Sequence, residues 1–280
     1  MNHSLRFALR PTTLILFSAL ALAAPRPAQA QATPAPVAPV APVKPVPPTA
    51  KAVAVPPPYA AVPDPKPGTV LAPVFVADTS EVPELQTWGY VAESLCQTWY
   101  PKVSAILGAD DRKRKPLSRV TIFFKKDMKG VAYANGSDLY IAADWVKAHP
   151  DDYGMVIHEL THLVQRYPSY QASWLVEGIA DYVRGHYFES ATPMRPINFD
   201  KAKYTDAYKT TAAFLIWVDE NRKKGAVQEL SIALSAGTYT DALWKQVTGK
   251  DAPTLWEEFA AATKAAKPAV SASTAPPQLR

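Results

Sequence analysis

Thirteen prolines fall between Gln31 and Gly68, among residues that are otherwise mostly Ala and Val. Each proline fixes φ and removes a backbone donor, and the small side chains between them offer little to bury. That stretch is expected to be an extended spacer of partly polyproline II character, never a packed domain. It leaves residues 69–267 as the one foldable stretch of the 280-residue chain. Residues 268–280 repeat the spacer's composition and are expected to form a disordered tail. Two readings of the spacer stay open: a tether giving cell-wall or envelope association, or a tolerated leader.

Residues 1–30 read as an address. Arg6 and Arg10 precede an apolar run from Leu14 to Ala24, and Ala28-Gln29-Ala30 supplies the small residues of a signal-peptide cleavage site. Cleavage is expected after Ala30. The run stops at Pro25-Arg26-Pro27, short of the ~20 apolar residues a membrane span needs. The expected product is secreted or periplasmic, with no stable membrane insertion. Three of the positive charges, Arg6, Arg10 and Arg26, leave with the signal, so the net charge of +5 becomes +2. Residues 69–267 alone carry -1, and the sequence pI near 9.1 is no argument for a nucleic-acid partner. The basic run Arg112-Lys113-Arg114-Lys115 reads as a solvated turn or, as the alternative, a patch for a partner.

A lone cysteine, Cys96, excludes an intrachain disulfide and any cysteine-based zinc ribbon or Cys-x-x-Cys redox centre. Stability must come from an ordinary core. Val74–Val76 is expected to be a short strand, and Leu85, Trp88, Val91, Leu95 and Trp99 recur as on an amphipathic helix that buries Cys96. Val120–Phe124 has the β-branched and aromatic content of a buried strand. Val131–Ala134 and Leu139–Ile141 flank Asn135-Gly136, a hairpin signal. Beyond Ala142 helical patterns take over, over approximately 152–167, 173–188, 205–223, 226–235, 240–247 and 253–265. Gly225, Gly237 and Gly249 serve as stops, with Thr240 and Asp251 as N-caps. Strands first and helices later predict an α+β domain, a small N-terminal mixed sheet packed on a mainly helical C-terminal half.

His158-Glu159-Leu160-Thr161-His162 carries the chemistry. Positions i and i+4 of a helix share a face, so two imidazoles can converge on one metal ion with the glutamate beside it. Val156, Ile157, Leu160, Leu163, Val164 and Tyr167 bury the other side. A catalytic zinc site uses three protein ligands and leaves a position for water. A metzincin would place Gly and His where Gln165 and Pro168 stand, so that scheme is out. A gluzincin takes a glutamate from a following helix, with an aspartate one turn later. Glu177 and Asp181 fit that spacing.

His158, His162 and Glu177 are therefore the expected ligands of Zn2+, and Glu159 the expected general base. Asp181 is expected to accept the ring N–H of a ligand histidine, His158 by preference, or else to be a surface charge paired with Arg184. Gly178, poor in a helix, would let the two metal-bearing helices approach closely. His149 and His186 lack a partnered spacing and are expected to be structural.

Three stretches resemble the basic secretory protein family of plant and bacterial zinc peptidases: His158–His162 followed by Gln165, Glu177-Gly178-Ile179-Ala180-Asp181-Tyr182-Val183-Arg184, and Tyr208-Lys209-Thr210-Thr211-Ala212-Ala213-Phe214-Leu215. Gly130–Tyr133 is similar to that family's strand before the metal helix, and the likeness covers about 130 to 265. The resemblance implies a zincin-like, gluzincin fold, zinc, and an exported peptidase acting on peptide or protein substrates. It also implies a catalytic role for Tyr208, as hydrogen-bond donor to the oxyanion. The hairpin around Val131–Tyr133 would present an edge to an extended substrate. The expectation is an endopeptidase. The competing reading is a non-catalytic binding or envelope-associated module on the same scaffold.

Overall fold

The computed structural model describes residues 62–190 and 196–266. The expected signal peptide, its cleavage site, the spacer up to residue 61 and the tail 268–280 lie outside them. Val62, within the stretch read as spacer, packs against the core.

A four-stranded sheet is built from β1 (Val74–Asp78), β2 (Arg119–Lys125), β3 (Ala132–Asn135) and β4 (Asp138–Ala142) in the order β1-β2-β4-β3. β1 and β2 are parallel, β2 and β4 are parallel, and β3 runs antiparallel to β4 at the edge. The sheet is thus mixed, as expected. Helix α1 (Gln86–Leu107) makes the crossover from β1 to β2. The inner face carries Val120, Ile122, Phe124, Leu139 and Ile141, all buried, in the alternation that a one-sided sheet demands.

The hairpin is shifted by one residue from its sequence signal. Asn135 pairs with Asp138, so the two loop residues are Gly136 and Ser137. Gly136 takes φ of 62° at the first central position, where a side chain would be strained.

The helical half runs through α2 (Ala143–Ala148), α3 (Gly154–Gln165), α4 (Ser173–Tyr182), a π-helical turn (Val183–Phe188), α5 (Tyr208–Asn221), α6 (Ala226–Ser235), α7 (Ala242–Thr248) and α8 (Ala252–Ala266). The α+β architecture matches the expectation. The single helix expected over 173–188 instead widens into the π turn after Tyr182. α2 had no distinct sequence signal. Asp251 caps α8 by accepting the N–H of Thr254, whereas α7 begins after Asp241 with no side-chain cap from Thr240. Cys96 is fully buried.

α3 is the central element, and all but one of its residues are buried. Trp88 of α1 stacks on Tyr153 at its start, with ring centroids 4.7 Å apart. Its C-terminal carbonyls need partners. Arg114 supplies them, its Nη1 donating to the carbonyls of Val164 and Gln165 at 2.6 and 3.2 Å. One residue of the basic run read as a solvated turn, Arg114, is therefore built in. Arg112 stays exposed and pairs with Asp110, while Arg114 turns inward beside buried Asp111.

Candidate metal centre

α3 and α4 carry the two halves of the site, and Gln165 and Val176 join them. His158 and His162 project from one face of α3, one turn apart. Glu177 comes from α4 to meet them. His158 Nε2 lies 3.1 Å from His162 Nε2 and 3.2 Å from Glu177 Oε2, and His162 Nε2 lies 3.5 Å from that same oxygen. Ligand atoms held tetrahedrally by zinc at ordinary bond lengths stand roughly 3.3 Å apart. Among the described residues these three form the one group of His, Cys, Asp and Glu placed to hold a metal ion.

Hydrogen bonding on the far side of each ring fixes what converges. His158 Nδ1 donates to Asp181 Oδ1 at 2.8 Å. His162 Nδ1 stands 2.7 Å from Gln165 Oε1, and Gln165 Nε2 donates to the carbonyl of Val176 at 2.9 Å. That carbonyl can only accept, so the amide oxygen must face His162 and His162 must carry its proton on Nδ1. With those Nδ1 sites committed, each ring turns its Nε2 toward the Glu177 carboxylate oxygen, where deprotonated it offers a lone pair to a metal ion and protonated it donates a hydrogen bond. Three electron-pair donors packed this closely repel one another unless a cation sits among them. The donor set, two imidazoles and a carboxylate, is that of a catalytic zinc site with an open position.

Electrostatics agrees. Burial pushes the His158 imidazole down, but acceptance by Asp181 and Glu177 outweighs it and raises the pKa to about 9. Burial would raise Glu177, yet hydrogen bonds from both histidines hold its carboxyl down at about 2. The trio thus binds positive charge strongly, here as a proton. Its place near the C-terminal end of α3 adds the negative end of the helix dipole.

Glu159 is 7% exposed and lines the same cleft of about 950 Å³. Burial pushes its carboxyl above the ordinary value, against the pull of both histidines, and the backbone N–H of Ala134 on β3 is its hydrogen-bond partner. Tyr208 lies at the start of α5, over the site, with its ring 6.1 Å from that of His158. Glu177 and then burial raise its phenol pKa. Ala207 and Tyr208 both have positive φ, 63° and 46°, and Ala207, with ψ of -172°, lies in a region normally open only to glycine. Strain of this kind concentrates where a side chain is aimed for function.

All the sequence-predicted site residues, His158, Glu159, His162, Glu177, Asp181 and Tyr208, reach this one place. Arg184 is occupied with Asp152 and Glu189, so the alternative pairing for Asp181 is not formed. His149 stacks on Trp145, and His186 stacks on Tyr182, both away from the trio. Gly178 does serve a close helix approach, but to a different partner. A β-carbon there would overlap Thr211 of α5, so the missing side chain seats α4 against the Tyr208 helix and not against α3. Gln165 was outside the sequence-based site. The signal available was its place one turn after His158-x-x-x-His162, on the histidine face.

A family model described as peptidase of plants and bacteria (BSP) matches residues 88–259, more than half of the chain. No curated protein and no solved structure matches it.

Proposed function

We propose, given that the chain belongs to the BSP family of peptidases of plants and bacteria, that it is an exported zinc-dependent endopeptidase. The observation that carries this reading is the convergence of His158 Nε2, His162 Nε2 and Glu177 Oε2, with both Nδ1 atoms already committed to Asp181 and Gln165.

Zinc held by those three residues would supply Lewis acidity, polarising a peptide carbonyl and making water nucleophilic at neutral pH. The chain's own groups do the rest. Glu159, with a carboxyl made more basic by burial, takes the proton from the attacking water on its carboxylate and passes it to the departing amine nitrogen. Tyr208 Oη, a phenol whose pKa Glu177 and burial push further up, donates to the oxygen that gains charge on the scissile carbonyl. Asp181 and Gln165 hold the imidazoles in the tautomer that leaves Nε2 free.

β3 supports a substrate-binding role. The N–H of Ala142 reaches the carbonyl of Val131 at 2.9 Å, so Val131, Tyr133 and Asn135 turn their backbone groups toward β4. Ala132 and Ala134 turn theirs to the open edge, beside Glu159. An extended peptide laid on that edge runs past the base.

Export rests on the signal-like residues 1–30. Among the described residues no helix is long and apolar enough to cross a membrane. The test is metal content against activity. The purified protein should hold one equivalent of zinc and lose peptide hydrolysis on chelation, regaining it with zinc. A zinc-free protein that hydrolyses peptides equally well would sink the reading.

A further inference from the structure

Three aromatic side chains form a row across the outer face of the sheet. Phe123 on β2 is in register with Tyr140 on β4, which is in register with Tyr133 on β3. The rings stack in sequence, with centroids 5.1 Å apart at 23° and then 4.8 Å apart at 8°. These spacings match the distance between neighbouring strands, so each ring stands upright with its faces turned along the row. The row offers ring edges to solvent and is no flat platform for a sugar. What it does offer is one open ring face, at its end.

That end is Tyr133. β3 is the edge strand, Tyr133 is 44% exposed, and among the described residues Tyr140 is the one ring it stacks on. Tyr133 also lines the cleft that holds His158, Glu159 and His162. Two other exposed tyrosines, Tyr170 and Tyr208, line the same cleft.

We infer that Tyr133 forms a specificity subsite for an aromatic side chain of the substrate, which adds a fourth ring to the row. The register requires it to be a particular residue. Because the backbone of Tyr133 is turned to β4, a substrate residue facing it on a strand laid antiparallel to β3 forms a non-hydrogen-bonded pair, the arrangement in which side chains across two strands come closest. The residues on either side of it bond to the open-edge groups of Ala132 and to the carbonyl of Ala134, whose N–H is held by Glu159. Glu159 meets the backbone of Ala134, the next residue to Tyr133, so the selected residue lies within about two positions of the cleaved bond at a rise of roughly 3.3 Å per residue. The inference rests on the metallopeptidase reading, and on substrate pairing with the β3 edge.

Cleavage of a randomised peptide mixture by the zinc-loaded full chain, with products mapped by mass spectrometry, tests it. Matched peptides differing only as Phe or Ala at the selected position then give a ratio of kcat/KM. The ratio cancels any uniform loss of activity in a variant. The parent should favour Phe by about 3- to 10-fold, the worth of one stacked aromatic pair beyond area burial. Tyr133→Phe should keep that ratio, and Tyr133→Leu should bring it close to unity. Cleavage with no aromatic preference near the scissile bond, or a ratio that survives in Tyr133→Leu, overturns the subsite while leaving the peptidase reading intact. No cleavage of any peptide by zinc-loaded protein overturns both.

Discussion

Gln165 Oε1 accepts from His162 Nδ1 at 2.7 Å, while the amide nitrogen of the same side chain donates to the carbonyl of Val176 on α4. One buried glutamine thus sets the tautomer of a ligand on α3 and ties it to the residue preceding Glu177. Gln165→Ala should weaken zinc binding by about 10- to 100-fold, the usual worth of such an outer partner. Gln165→Glu, which still accepts from His162 but cannot donate to Val176, should recover part of the loss. Competition with a chromophoric chelator measures both. Unchanged affinity in Gln165→Ala would mean that His162 is oriented by packing alone.

Zinc affinity should depend on pH with a definite sign. In the metal-free protein the His158 pKa is raised to about 9, where burial is outweighed by Asp181 and Glu177. Zinc must displace that proton, so below pH 9 apparent affinity should fall roughly tenfold for each unit of acidification. Asp181→Asn keeps an acceptor oxygen but drops the charge. His158 then loses its proton more readily, and the steep range should end at lower pH. Identical profiles for parent and variant would contradict the role given to Asp181.

Tyr208→Phe removes one hydroxyl over the site and should lower kcat by about a hundredfold or more, with KM little changed, if that hydroxyl serves the oxyanion. Steady-state kinetics on one peptide decides the matter. A loss confined to KM would make Tyr208 a binding residue.

The strain at Ala207 leads to opposite effects on stability and rate. With φ of 63° and ψ of -172°, Ala207 holds a conformation that costs on the order of 1–3 kcal/mol for a residue with a β-carbon. Ala207→Gly relieves it, less the extra chain entropy glycine has when unfolded, for a net gain of about 1 kcal/mol. The freed backbone no longer aims Tyr208, so kcat should fall. Denaturant unfolding and turnover of the same preparation report both, and a variant that is less stable would refute the strain.

How far the sequence could be read follows from which partners are local. His158 and His162, and separately Glu177 and Asp181, were legible because the i, i+4 spacing alone puts each pair on one helix face, and Glu159 because it follows His158 within that motif. Gln165 was not, since its second partner is a backbone carbonyl on another helix. Arg114 looked like one of four solvated charges, and only packing shows it meeting the end of α3. Gly178 reads in the sequence as the seat of an approach between the two metal-bearing helices, and nothing local says that Thr211 of α5 is what approaches instead. The hairpin was found and its register missed, because Asn-Gly and Gly-Ser are both acceptable turn pairs and the pairing of Asn135 with Asp138 decides between them. The aromatic row joins three strands, and no single segment announces it.

Gly178→Ala tests that packing directly. The added methyl meets the Thr211 side chain at the α4–α5 contact, and overpacking of this kind costs about 1–3 kcal/mol. Thr211→Ser, which removes the methyl it meets, should restore part of the loss in the double variant. Additive effects would place the clash elsewhere.

The most direct measurement is zinc content and casein hydrolysis on one preparation of Glu159→Gln. Glu159 is proposed to move the proton and is not among the three atoms that converge on the metal. The variant should therefore keep one equivalent of zinc and lose activity by about 10²- to 10⁴-fold. Casein cleaved as fast as by the parent, at full zinc occupancy, would contradict the account.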